Sequence, residues 1–95
     1  MSKSICIGSH VTELHRITIA EWDSDVTGRS YEVGIREHSN PSNFDLVAMY
    51  LRSRRAAEEI GKVAAQLSRD GCDILQIKTA CEDGNWLDRM LTERA

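Results

Sequence analysis

The chain has no membrane-length apolar run, no phosphate loop, no C-x-x-C spacing, no internal repeat and only one proline. Each absence excludes something. Without a stretch of about 20 apolar residues no transmembrane helix is expected, and no membrane partner. Without a glycine-rich loop or a convergent acid–base set, no catalytic residue stands out; neither an enzyme nor a cofactor is expected. Cys6, Cys72 and Cys81 are an odd set with no secretory signal before them. They read as three reduced thiols in a cytoplasmic protein. The Met-Ser-Lys start reads as an intact N-terminus, without the glycine that myristoylation needs, and the chain ends without a prenylation box.

What is there is the composition of an ordinary globular chain. Hydrophobic residues make up 41% and charged residues 28% of 95 positions, which predicts a single globular domain rather than disorder. The formal net charge of −3 argues against nucleic-acid binding by bulk charge and leaves a local patch open. Charge is unevenly laid out: residues 1–40 sum to −2, residues 41–70 to +1 and residues 71–95 to −2.

The most readable stretch is Ser53 to Leu67. Ala57, Ile60, Ala64 and Leu67 recur at helical spacing, with Ala56 and Val63 widening the stripe and Glu58, Glu59, Lys62 and Gln66 on the other side. Ser53 is placed to be the N-cap, Gly71 to follow the C-terminus, and Glu58 to pair with Lys62. Gly61 is a mild penalty inside a helix, and it permits close approach of a neighbouring strand.

The remainder reads as sheet and turn. Ser4 to Gly8 forms a short edge strand. In Leu14 to Trp22, Ile17 and Ile19 alternate with Arg16, Thr18 and Ala20, which leaves Trp22 opposite the isoleucines. After a turn over Asp23 to Arg29, the strand from Ser30 to Glu37 puts Tyr31, Val33 and Ile35 on one face and Glu32, Gly34 and Arg36 on the other. Past the turn over His38 to Asn43, Phe44 to Leu51 fits a strand leading into the helix, with Phe44 and Tyr50 inward. The rival is a longer helix capped at Ser42. Cys72 to Thr79 reads as a strand, and Trp86 to Leu91 as a short helix or, through Asp83-Gly84, a last strand. The fold class is therefore α+β: an antiparallel three- to four-stranded sheet on one central amphipathic helix, in the order β-β-β-α-β with a short C-terminal helix. Expected core residues are Ile17, Ile19, Val33, Ile35, Ala57, Ile60, Ala64, Leu67, Ile77 and Leu91.

Two surface groups carry candidate chemistry. Arg52, Arg54 and Arg55 flank Ser53 at the helix start, where cations oppose the helix dipole and where backbone N–H groups favour an anion. Trp22, Asp23 and Asp25 on the hairpin, with Trp86 beside a later turn, are interface candidates, since aromatic anchors are enriched at interfaces. His10, His15 and His38 are too scattered for a zinc motif, although His15 and His38 are placed to approach each other across the hairpin; no metal is expected. Ser53-Arg54-Arg55 with Ala57 and Ala64-Ala65 resembles the last helix of double-stranded-RNA-binding domains. In that family a three-strand meander precedes such a helix, and its basic pair contacts phosphates. The resemblance covers about a quarter of the chain.

The expectation that follows is a non-enzymatic protein-binding module. In size and charge layout it is similar to phage-type inhibitors of host nucleic-acid machinery, anti-CRISPR proteins among them. The alternative is RNA or DNA binding through Arg52, Arg54 and Arg55. An uncovered sheet face carrying Trp22 and Ala20 would also allow two copies to pair as a homodimer.

Overall fold

The structure, a computed structural model, describes residues 3–26, 28–82 and 87. Four strands come before any helix: β1 (Lys3–Val11), β2 (His15–Ser24), β3 (Gly28–Glu37) and β4 (Phe44–Leu51). Two helices follow, α1 (Arg54–Arg69) and α2 (Ile74–Cys81). The strands form one antiparallel sheet in the order β1-β2-β3-β4, and α1 and α2 pack against one of its faces. This is an α+β fold.

The order is β-β-β-β-α-α, which corrects the expected β-β-β-α-β in two places. Ser4 to Gly8 belongs to a full edge strand, β1, paired with β2 along Lys3–Val11. Cys72 to Thr79, expected as a strand, lies mostly in α2. The reason is local. The Gln76 backbone N–H donates to the Asp73 carboxylate (2.8 Å), and the Asp73 N–H donates to the Gln76 side-chain oxygen (2.9 Å). This reciprocal capping box starts a helix. Ile74, Ile77 and Cys81, three and four residues apart, are then buried while Leu75 is 71% exposed. The expected element at Trp86 to Leu91 lies largely outside the described residues.

The central helix follows its sequence closely. Ser53 Oγ accepts the Ala56 N–H (3.2 Å), so the helix starts at Arg54 and β4 stands as a separate strand. Asp70 caps the other end and Gly71 takes φ +92°, a left-handed conformation that glycine adopts without a Cβ penalty. Gly61 lies against β2: a Cβ there would sit 2.9 Å from Ile19 Cδ1. The Glu58–Lys62 pair is corrected. Glu58 accepts from Arg54 (2.9 Å), and Lys62 pairs with Glu59 (3.3 Å).

Of the expected core, Ile17, Ile19, Val33, Ile35, Ala57, Ile60, Ala64 and Ile77 are buried. Leu67 is half-buried against them, and Leu91 lies outside the described residues. Tyr31 is buried, whereas the inward placement of Phe44 and Tyr50 is corrected: both are exposed. β4 does not alternate strictly. Tyr31 pairs with Leu51, Val33 with Ala48 and Gly34 with Leu46, so the register slips twice. These bulges turn Val47, Ala48 and Leu51 inward and leave Met49 and Tyr50 outside.

Candidate functional site

The helices cover one face of the sheet and leave the other open. Residues directly opposed in an antiparallel pair share a face. The register therefore places Ser4, Trp22 and Ser30 together on the open side, then Cys6, Ala20 and Glu32, then Ser9, Thr18, Gly34 and Leu46, then Val11, Arg16, Arg36 and Phe44. Five hydrophobic side chains there meet solvent: Trp22 is 36% exposed, Met49 41%, Phe44 46%, Val11 57% and Tyr50 76%. These side chains stand among serines, Thr18, Glu32, Arg16 and Arg36, so the face mixes exposed aromatic and polar groups, as interface surfaces do.

Two recesses of about 360 Å³ indent this face. The first is lined by Trp22, Ser30, Glu32, Leu46, Met49 and Tyr50. Its shape comes from the β4 bulges, where Tyr50 has φ +57°, a conformation that costs a bulky L residue about 1–2 kcal/mol. The Trp22 indole N–H donates to the Glu32 carboxylate and holds the ring at the rim. The second recess, at the other end of the strands, is lined by Arg16, Thr18, Arg36 and Phe44. The Arg36 guanidinium lies 5.2 Å from the Phe44 ring centroid, a cation–π contact. The ring rests on bare backbone: a Cβ on Gly34 would come within 3.1 Å of it.

Electrostatics differ between the two ends. Arg16 and Arg36 are directly opposed across β2 and β3, an arrangement that costs about 0.2–1 kcal/mol between like charges. Neither is in an ion pair among the described residues. Glu32 is the sole acidic residue on the open face of the strands among the described residues. Asp45 points to the helix side, where Lys78 approaches it at 3.2 Å; the Leu46 N–H and that ammonium hold its carboxyl below the usual range.

The arginine group stands at the corner between β4 and α1. Arg52, Arg54 and Arg55 are exposed, but Arg54 is held by Glu58, which favours its charged form. Ser53 Oγ is already used in capping. Of the hairpin group, only Trp22 belongs to the open face. Asp23 is registered against Lys3 and Arg29 on the other side, Asp25 lies in the exposed turn, and Trp86 is outside the described residues. The structure thus brings Trp22 together with Glu32, Leu46, Met49 and Tyr50, partners not singled out from sequence. Arg16, Glu32 and Arg36 had a signal, since each alternates with core residues. Phe44, Met49 and Tyr50 had none, because the β4 bulges are invisible without a register.

A buried polar cluster closes one end of the sheet. His15 Nδ1 is 2.7 Å from Ser68 Oγ, which is 2.5 Å from Thr12 Oγ1. Thr12 Oγ1 also accepts the His15 backbone N–H (3.0 Å), and His38 Nε2–H donates to the Thr12 carbonyl (3.0 Å). The Ser–His spacing is that of a nucleophile and base, yet both residues are sealed from solvent. The cluster ties the β1–β2 turn to the end of α1. Burial lowers the His15 pKa and raises that of the Cys81 thiol, keeping both groups neutral. His15 and His38 do approach each other, and among the described residues no group of three or more His, Cys, Asp or Glu side chains is placed to hold a metal ion. No described helix is long and apolar enough to cross a membrane.

No protein-family model, curated protein or solved structure matches this chain. The described residues depart from the double-stranded-RNA-binding pattern by the added strand β1 and by the second helix, α2, after the first.

Proposed function

We propose that this chain is a non-enzymatic protein-binding module whose contact surface is the open face of the sheet. The observation that carries the reading is the exposure of Trp22, Phe44, Met49 and Tyr50 on the face that the helices leave uncovered. Aromatic residues and Met flanked by Arg are the composition of interface cores. A phage-type inhibitor of host nucleic-acid machinery is one member of this class; its support remains the size and charge layout.

A photo-crosslinking residue installed at Tyr50, and separately at Leu75 on the exposed side of α2, tests the reading. Cross-links to protein from Tyr50, with none from Leu75, support it. Cross-links from Leu75 alone refute it.

A second reading, nucleic-acid binding through Arg52, Arg54 and Arg55, is favoured by the helix starting at Arg54, which groups the three at an exposed corner. It predicts binding that falls steeply with salt. An absence of gel shift at low salt removes it.

A further inference from the structure

We infer that the occupant of the open face is a second copy of this chain, docked face to face about a two-fold axis that crosses the strands at Gly34. The inference rests on the proposed binding role of this face and names its partner.

The two ends of the face complement each other. At one end Arg36 and its register partner Phe44 stand together. At the other, Glu32 borders the recess formed with Leu46, Met49 and Tyr50. Gly34, paired with Leu46, lies midway between Glu32 and Arg36 along β3. The separation of Glu32 from Arg36, four residues, is about 13 Å at roughly 3.3 Å per residue. An axis between the two sheets, perpendicular to the strands and over Gly34, reverses the second copy end for end. Arg36 of each copy then faces Glu32 of the other, and Phe44 of each faces the other's recess. One operation satisfies both the charge and the shape requirement, as an isologous interface must.

Three features of the single chain are accounted for together. Arg36, opposed to Arg16, gains a facing carboxylate, which offsets the like-charge cost. The exposed Trp22, Phe44, Met49 and Tyr50 are covered. The strained backbone at Tyr50 shapes the recess that lies opposite Phe44 of the other copy. Size agrees as well: four strands about 4.8 Å apart and about 8 residues long present roughly 500 Å² in projection per copy, so two copies approach the roughly 1,000 Å² of a specific interface. Stacked sheets pack about 10 Å apart, room for one interdigitated layer of these side chains. A nucleic-acid strand fits the layout less well, because it carries a phosphate at every residue and would press several against the carboxylate of Glu32.

Sedimentation equilibrium of the full chain from about 1 µM to about 1 mM, a range that resolves dissociation constants between those limits, tests the inference. The expected result is a dimer. Arg36→Glu and Glu32→Arg each weaken it by about tenfold or more, and the double variant E32R/R36E returns it to within about threefold of the parent. A monomer throughout, or a double variant no tighter than either single one, overturns the inference. So does a fluorescent single-stranded oligonucleotide that binds the parent chain and is released by Arg16→Glu with Arg36→Glu. A chain that stays monomeric while Tyr50 cross-links to a different protein overturns the second-copy assignment alone and leaves the binding role standing. A chain that dimerises without dependence on Glu32 or Arg36 overturns the stated geometry. The double variant separates misfolding from loss of contact, because restored association requires a folded sheet.

Discussion

Ser68→Ala removes the centre of the buried polar cluster and is the sharpest test of how the sheet end is held. The serine oxygen serves both His15 Nδ1 (2.7 Å) and Thr12 Oγ1 (2.5 Å). Thr12 keeps its contacts to the His15 backbone, but the His15 ring nitrogen is left buried without a partner. An orphaned buried group costs about 1–3 kcal/mol and a lost neutral hydrogen bond about 1 kcal/mol more. Alanine regains about half a kcal/mol of helix propensity. The net expectation is a loss of about 2–3 kcal/mol, or roughly 10–20 °C in Tm for a domain of this size. Urea unfolding followed by circular dichroism measures it. Replacing His15 by Leu in the same chain removes the orphan, so the double variant should lose less than the sum of the two single losses. A Ser68→Ala cost below about 0.5 kcal/mol, or strict additivity, would refute the cluster's structural role.

Other perturbations follow from the same structure. Because the folded pKa of His15 is depressed, the unfolded chain takes up a proton that the folded chain refuses. Its contribution is therefore flat above about pH 6.5, and stability declines as pH falls below that point towards the folded value; His15→Leu should flatten this decline in urea titrations at successive pH values. Ile60 is 0% exposed under the sheet, so Ile60→Ala should cost about 2–5 kcal/mol in chemical denaturation. Gly61→Val would press against Ile19, already 2.9 Å from an added Cβ, and should cost about 1–3 kcal/mol by overpacking. Asp73→Ala breaks the capping box of α2 and should cost about 0.5–2 kcal/mol by the same assay. Tyr50→Gly should leave the folded chain as stable or about 1 kcal/mol more stable, since relieved left-handed strain offsets glycine's extra chain entropy. The same variant should weaken occupancy of the open face, which cross-linking from Met49 would read.

Local signals made several elements legible before any fold was known. The helical spacing of Ala57, Ile60 and Ala64, the cap at Ser53 and Gly71 after the C-terminus are contained in short windows, and α1 formed accordingly. The alternation of Ile17 with Ile19, and of Tyr31, Val33 and Ile35, likewise determined which side of β2 and β3 is buried. The segment from Cys72 to Thr79 misled because Ile74, Leu75 and Ile77 suit a strand or a helix, and the decision lay in the reciprocal hydrogen bonds of Asp73 and Gln76.

The open face is a different matter. The sequence by itself determined that Arg16, Trp22, Glu32 and Arg36 alternate with core residues, and so lie away from the core. It did not determine which neighbours they meet, because strand pairing is a contact between distant residues and the pleat of β4 is reset by bulges whose register only β3 supplies. The tertiary structure alone decided that Phe44 rests on Gly34 beside Arg36, that Met49 and Tyr50 turn outward, and that both helices settle on the opposite side. The physical reason is that a helix is written in contacts within four residues, whereas a surface is written in which strands come to lie side by side.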